Sequence, residues 1–508
     1  MCIAITSVPP EVWDHIIGML TFQELTQLTL AHRVFLAYVR PIIWQQLSLC
    51  TLDPRPNARA RAIIREPKLA LHVRHLRLRP GFSINYRRTP TNLWVCKPSI
   101  RTWIDVFEGI KWKSPVKSWS DFFRSRQSIA TALQIAPLLT NISRVTITAS
   151  FSNDYQPNQN PYYELWTGLK ASRIRCLEVR FGSHNSLRVF SSVLRTSSIG
   201  LEQLEALSLQ LTLWGSSAPQ EFQKNIQILA DVGRGSLRSL LVNLNTPHPI
   251  QSALINGLGF FPNLIHFSGT FYSDFPHACV TEFLLKHRPT LVCLSLDGNQ
   301  IHRMLPIILC DSKHTSVNSA PLRLTCIRLW SSDRGMTERI RSSNQLTMSA
   351  HADTLTTLSI GTRLNPRLVY HGFTYNEVEE IILSLHKPGR GVLLRRLKLP
   401  LEYLSPEIIN LMSSYLNNLD TLGIAYYRLV SQEDKTAGAR VLKTADIDKL
   451  KCSTWSLRRV EINKVVRRLS DIKFVRDLAS LRFLSSCIPN LQVGPIDWTD
   501  VHTDLDRF

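Results

Sequence analysis

The sequence contains no run of about 18 uninterrupted apolar residues, the length that a membrane-crossing helix needs. Residues Met1–Val8 carry neither a basic stretch nor a long apolar one, so no secretory leader is expected. Cysteine is sparse, ten in 508 residues, and no two are spaced Cys-x-x-Cys. A disulfide framework or a zinc site therefore has little basis, and the cysteines are expected as small buried apolar residues in a reducing compartment, cytoplasmic or nuclear. No metal is expected. The His72-x-x-His75 pair lacks a nearby third ligand and is expected as a surface pair flanking a strand. Catalytic signatures are missing as well. There is no Walker A loop, no His-Glu-x-x-His, no Gly-x-Ser-x-Gly and no Gly-x-Gly-x-x-Gly, and Gly389-Arg390-Gly391 is expected as a turn. A non-enzymatic protein without a cofactor is the expectation.

What is present is apolar bulk and positive charge. Hydrophobic residues make up 44% of the chain and charged residues 19%, enough apolar material for a large core. Sixty Lys and Arg stand against thirty-nine Asp and Glu, a net charge of +21. An excess of this kind suggests an acidic partner or nucleic acid. The charge is unevenly placed. Residues 1–50 carry Arg33 and Arg40 against Glu11, Asp14 and Glu24, a net −1. Residues 51–100 carry eleven Lys and Arg against Asp53 and Glu66, a net +9.

Residues 7–49 differ from the rest. Pro9-Pro10-Glu11 suits the first turn of a helix, where proline fixes φ at no hydrogen-bond cost. Val12, Ile16, Ile17 and Leu20 then recur at helical spacing. Thr21 and Glu24 have the spacing of a capping box, and a second helix is expected to bury Leu25 and Leu28. A third helix is expected over Val34–Val39, interrupted by Pro41, with a short helix or turn over 42–47. Three short helices bury little core alone and need a partner or a neighbouring domain.

This ordered set resembles an F-box: Val8-Pro9-Pro10-Glu11-Val12, Ile16-Ile17, Leu20, Leu25, Leu28, Phe35 and Trp44. Val8 stands where leucine is usual and Phe35 where tryptophan is common, and both keep apolar bulk. The resemblance implies helix-in-groove docking on a Skp-type adaptor and, through it, a cullin. It assigns adaptor binding to Val8, Pro9, Pro10, Glu11, Ile16, Leu20, Leu25, Leu28 and Trp44, the last two with an internal packing role as the alternative.

Beyond residue 72 a phrase recurs, Leu-x-x-Leu-x-Leu with Ile, Val or Phe as substitutes. Twelve copies centre on Leu76, Val145, Leu177, Leu207, Leu240, Phe267, Leu294, Ile327, Leu358, Leu397, Leu422 and Val460. The Phe267 copy is degraded by Gly269. From Val145 onward, successive copies are 25 to 39 residues apart, whereas Leu76 and Val145 are 69 apart, room for a hidden repeat or an insertion. A period of this size is the mark of a solenoid. Helices are expected over Gln220–Ala230, Val280–His287, Glu377–His386 and Glu407–Leu416. Strand, turn and helix in about thirty residues resemble an irregular leucine-rich repeat. The asparagine usual after the strand is absent from most copies.

The expected fold class is thus α/β. A three-helix F-box-like module over 7–49 is followed by a basic linker over 50–72. A leucine-rich-repeat-like solenoid of about twelve irregular repeats spans 73–496, and an acidic tail spans 497–508. Loops are expected over Pro80–Ser99, Asn153–Tyr163, Asp311–Pro321 and Ser431–Asp446. Strand alternation sends the leucines of each phrase to the core and the third, fifth and seventh positions to the other face. On that face Arg77, Arg79, Arg144, Arg180, Arg328, Trp330, Arg396 and Lys398 are the expected target-binding residues, suited to an acidic or phosphorylated protein segment. The F-box resemblance joined to a solenoid implies a substrate receptor of a Skp–cullin–F-box ubiquitin ligase. The alternative from charge is a non-enzymatic nucleic-acid or anionic-surface binding solenoid. Nucleic acid is the less expected partner, because the basic strands lack interleaved aromatics and match no nucleic-acid module.

Overall fold

A computed structural model describes residues 9–31, 34–49, 54–78, 85–88, 94–97, 130–149, 161–169, 172–196, 201–212, 219–271, 276–298, 324–331, 351–362, 372–386, 392–429, 455–468, 471–475 and 492–494. Val8, Arg79, the loops expected at Asp311–Pro321 and Ser431–Asp446, and the acidic tail lie outside the described residues. The fold is α/β, with thirteen parallel strands and helical returns. The chain divides into two compact units, Met1–Leu237 and Arg238–Arg507.

The first unit opens with three helices, α1 (Pro10–Met19), α2 (Phe22–Ala31) and α3 (Val34–Trp44). Pro9 caps α1 in an extended conformation, and Pro10 fills the first helical position. The capping box forms as its spacing predicts: Thr21 N–H and Oγ1–H donate to Glu24 Oε2, each at 2.7 Å, and Glu24 N–H donates to Thr21 Oγ1 at 3.4 Å. The Thr21 hydroxyl, more than its backbone N–H, holds the Glu24 carboxyl below the usual range. Ile17, Leu25, Phe35 and Val39 make the core of the bundle, with Trp13 edge-on to Phe35 at 5.1 Å. Proline was expected to end α3. Instead α3 runs through Pro41 to Trp44, because the buried Val39 and the packed Ile43 on either side hold it against the bundle.

The polypeptide then enters the sheet at once. Strand β1 (Gln46–Leu49) pairs in parallel with β2 (His75–Leu78), Leu47 opposite Leu76 and Leu49 opposite Leu78. Trp44-x-x-Leu47-x-Leu49 is thus one more copy of the repeated phrase, unrecognised in the sequence because it overlaps the end of α3. The expected linker is a folded return segment. It holds α4 (Pro54–Arg65) and a 3-10 turn over Pro67–His72, and it buries Ala60, Ile63, Leu69 and Ala70. Arg40 pairs with Glu66 at 3.0 Å, and Arg59 lies over the Trp44 ring while donating to the Gln46 carbonyl.

The long step after Leu76 is an insertion and not a hidden repeat. Strand β2 pairs directly with β5 (Arg144–Ala149), Leu76 opposite Val145. Within the intervening stretch, expected as a loop, β3 (Asn85–Arg88) and β4 (Trp94–Lys97) form a separate antiparallel pair. The ladder continues through β6 (Cys176–Phe181) to β7 (Ala206–Thr212) in unbroken register. Helix Pro161–Gly168 overlaps the end of the loop expected at Asn153–Tyr163. Helix His184–Thr196 was not anticipated, and helix Pro219–Gly233 covers the stretch that was. Phe190 packs on Phe181 and Trp166, which places these helices over the leucine side of the strands.

The second unit carries eight parallel strands: β8 (Ser239–Asn245), β9 (His266–Phe271), β10 (Cys293–Gly298), β11 (Cys326–Ser331), β12 (Thr357–Thr362), β13 (Arg396–Leu404), β14 (Thr421–Leu429) and β15 (Arg459–Arg468). Strand β16 (Asp471–Val475) is antiparallel to β15, and β17 (Gln492–Gly494) is parallel to it. Helices at His277–Lys286, Tyr375–Leu385 and Pro406–Tyr415 match three expected ones, and His248–Leu258 is new. The degraded copy keeps its place because Gly269 leaves room for aromatic rings. A Cβ there would lie 2.6 Å from the Phe271 ring.

One hydrogen-bond pattern marks the strand openings. Within each unit, the carbonyl just before most of the parallel strands accepts two successive N–H groups of the next repeat. Gln45 accepts from Arg74 and His75, Arg74 from Ser143 and Arg144, and Ser143 from Arg175 and Cys176. In the second unit the same holds from Arg238 to Ile265 and His266, through to Asp420 with Arg458 and Arg459. Each repeat therefore takes its register from the one before it.

His287 is a structural residue at the turn after helix His277–Lys286. The Phe261 N–H donates to its Nε2 at 2.9 Å, so the ring hydrogen sits on Nδ1, 2.7 Å from the Phe283 carbonyl. Burial pushes its pKa down, the bond to Phe283 opposes this, and Lys286 adds to the lowering. A depressed folded pKa gives stability that is present above the unfolded value of about 6.5 and lost as pH falls through the folded value. Denaturant midpoints of the second unit should therefore drop on acidification below that value. His287→Gln, whose amide oxygen reaches the Nε2 position to accept from the Phe261 N–H without titrating, should show a smaller drop; an unchanged slope would assign it to other groups.

Candidate binding surfaces

Two kinds of surface follow from this architecture: an apolar helix face and a charged strand face. On α1, Val12, Ile16 and Met19 are 45%, 38% and 70% exposed. Their i, i+4, i+7 spacing sets them in one stripe. Pro9 and Glu11 are exposed beside it, and Pro10 supplies the backbone of the first turn. Leu36 and Ile42 on α3 are exposed too. Several expected contact residues face inward. Leu25 is only 4% exposed and belongs to the bundle core, while Leu20 and Leu28 pack against it. Trp44 is half-buried under Arg59. Val12, Met19, Leu36 and Ile42 were not among the expected residues; helical spacing from Ile16 was the signal for Val12 and Met19.

On the strand face of the first unit, the register brings His75, Arg77, Arg144, Thr146, Glu178 and Arg180 together. Glu178 is the hub. Arg180 donates to its Oε1 through Nε at 2.9 Å and through Nη2 at 2.7 Å, and Arg144 approaches Oε2 at 3.9 Å. The Thr146 hydroxyl donates to Oε2 at 3.1 Å and lies 2.9 Å from His75 Nε2, beside which Arg77 Nε stands at 3.4 Å. Burial alone would raise the Glu178 pKa. The hydrogen bond and charge of Arg180, with help from Thr146 and Arg144, outweigh burial and hold the carboxyl below its usual value. The result is an anion held by Arg180 and Arg144, with Arg77 beside His75 further along the same face; the group is net positive, and a stronger or doubly charged anion can compete for the guanidinium forks.

The second unit repeats the device with other residues. Glu461, 4% exposed, pairs with Lys398 at 2.9 Å and with Arg459 at 3.0 Å. Lys398, Gly423 and Glu461 are consecutive register partners on β13, β14 and β15. The lysine stem crosses Gly423, where a Cβ would meet Lys398 Cγ at 2.7 Å. Arg396 is exposed next to this group and Arg328 is half-buried. Trp330 is not an open contact residue. It is 7% exposed, its ring laid over Gly361 on the next strand. In each unit a glutamate unassigned in the sequence organises part of the expected set, Arg144 and Arg180 at Glu178 and Lys398 at Glu461, while Arg328 and Trp330 lie apart on β11.

Among the described residues, no group of three metal-ligating side chains comes together and no helix is long and apolar enough to cross a membrane. Compared with known proteins, the chain matches no family model and no curated sequence.

Proposed function

We propose that this chain is a non-catalytic receptor subunit of a Skp–cullin–F-box-type ubiquitin ligase, acting in the cytoplasm or nucleus. Helices α1–α3 are its F-box-like module, docked on a Skp-type adaptor. The strand ladders are leucine-rich-repeat-like and receive an acidic or phosphorylated target protein. The observation that carries the reading is the apolar stripe Val12–Ile16–Met19, left uncovered by a bundle whose own core is already complete without it. A stripe of this kind is what helix-in-groove recognition uses. The mechanism is proximity: the adaptor end fixes the chain to the ligase, the ladder holds the target, and effective concentration speeds transfer from the ubiquitin-carrying enzyme. Co-purification of the full chain with a Skp-type adaptor tests the docking half, and failure to bind any such adaptor would remove it.

The target half rests on Arg144 and Arg180 at Glu178 and on Arg77 beside His75 on the same face. Arg77→Glu with Arg144→Glu is expected to lower capture of an acidic or phosphorylated segment by about tenfold or more, since charge-assisted bonds contribute roughly 1.5–3 kcal/mol each. Binding competition with phosphopeptides of known sequence measures it, and equal capture by the variant would count against this face. The nucleic-acid alternative would instead show strong affinity for random DNA or RNA with a steep salt slope.

A further inference from the structure

The register of β10 and β11 places two thiols side by side. Cys293 opens β10, Cys326 opens β11, and the two are direct Cα partners in a parallel pair. Partners in register project to the same side of a sheet. That side is the one opposite the helices, because the next residues along, Leu294 and Ile327, are fully buried in the core. Both cysteines are half-buried. Neighbouring strands lie about 4.8 Å apart, inside the span of about 4.4–6.8 Å that a disulfide bridges between Cα atoms. Cys176 opens β6 at the same position of its phrase but has Arg144 and Ala206 for register partners, and Cys279 lies on a helix. Of the four cysteines among the described residues, this pair alone is joined by strand register.

We propose that Cys293 and Cys326 form a redox-active dithiol site that oxidised glutathione converts reversibly to a disulfide. One thiolate attacks a sulfur of glutathione disulfide and forms a mixed disulfide, while one glutathione leaves as its thiolate. The second thiolate then attacks the protein sulfur of the mixed disulfide and expels the other glutathione thiolate. The two protein thiols give up two protons and two electrons in all, and glutathione disulfide becomes two glutathione molecules. Side chains on in-register parallel strands stand alongside rather than lean together, so the bond carries strain. Strained disulfides are the more easily reduced ones, suited to reversible use. Arg328 lies two residues beyond Cys326 on the same face and offers positive charge to the anionic glutathione. The bond would staple the third and fourth strands of the second unit.

The test uses the reduced full chain, equilibrated in glutathione buffers of rising oxidised fraction, blocked with N-ethylmaleimide, digested and analysed by mass spectrometry. A linked pair of peptides carrying Cys293 and Cys326 should accumulate and vanish on treatment with dithiothreitol. Cys293→Ser should leave Cys326 as the glutathione mixed disulfide. Phenylarsine oxide, which needs two adjacent thiols, should be held by the reduced chain and lose this site in either single serine variant. The proposal is overturned if Cys293 and Cys326 stay separately alkylated in buffers that glutathionylate Cys279, or if they link to other cysteines instead of each other.

Discussion

The full-length chain carrying Ile16→Asp and Met19→Asp is expected to lose adaptor capture by about a hundredfold or more. Two side chains at the centre of an apolar stripe are candidates for interface hot spots, where truncation costs about 2 kcal/mol or more each, and about 1.4 kcal/mol is a factor of ten in affinity. Aspartate adds the cost of burying a carboxylate without a partner. Both residues are exposed on α1, outside the bundle core, so the helices should persist. Leu25→Asp is the contrasting variant. It places a charge within the cluster of Ile17, Phe35 and Val39 and should melt the module itself. Titration of the adaptor against each variant, with circular dichroism alongside, separates the two effects. Undiminished capture by the double variant would mean that α1 is not the docking face.

The second large effect is expected at Glu461. Glu461→Ala removes the carboxylate that Lys398 and Arg459 share and leaves Lys398 in a mostly buried position. Breaking a buried pair from one side costs about 3–5 kcal/mol, so the denaturant midpoint of the second unit should fall clearly. Replacing both partners with apolar residues, Lys398→Met with Glu461→Leu, should recover much of that loss, since the desolvation penalty disappears with the charges. A single variant as stable as the parent would show that the pair is no more than a surface contact.

The strands were legible because Leu-x-x-Leu-x-Leu states two things at once, a period of two within the strand and a longer period between strands. All twelve phrases became strands, and those with described register partners align leucine on leucine. What escaped was held by contacts across long separations. Segment 50–72 looked like a linker because arginines crowd it. Yet Ala60 and Ile63 are enough to seat α4, and Arg59 is fixed by Trp44 and Gln46 rather than by solvent. Leu25 and Ile16 are both apolar residues of short helices, and a pattern alone does not say which faces a neighbour and which faces out. Trp330 falls on the outer face as alternation predicts, but only the glycine beside it on β12 lets its ring lie flat and become buried. Glu178 and Glu461 each pair with an arginine two residues along their own strand, but Arg144 one strand away and Lys398 two strands away reach them only once the register is known.

The doubled hydrogen bond at most strand openings within each unit makes the strand edge, and not the connector, the carrier of position. Arg74 greets Ser143 and Arg144 across a long insertion with the same two bonds that Asp420 offers Arg458 and Arg459. Connector length is thereby released from selection on the fold. A gene encoding such a ladder can gain or shed whole segments between one edge and the next, and each splice is judged only by whether the following strand still finds its pair of donors.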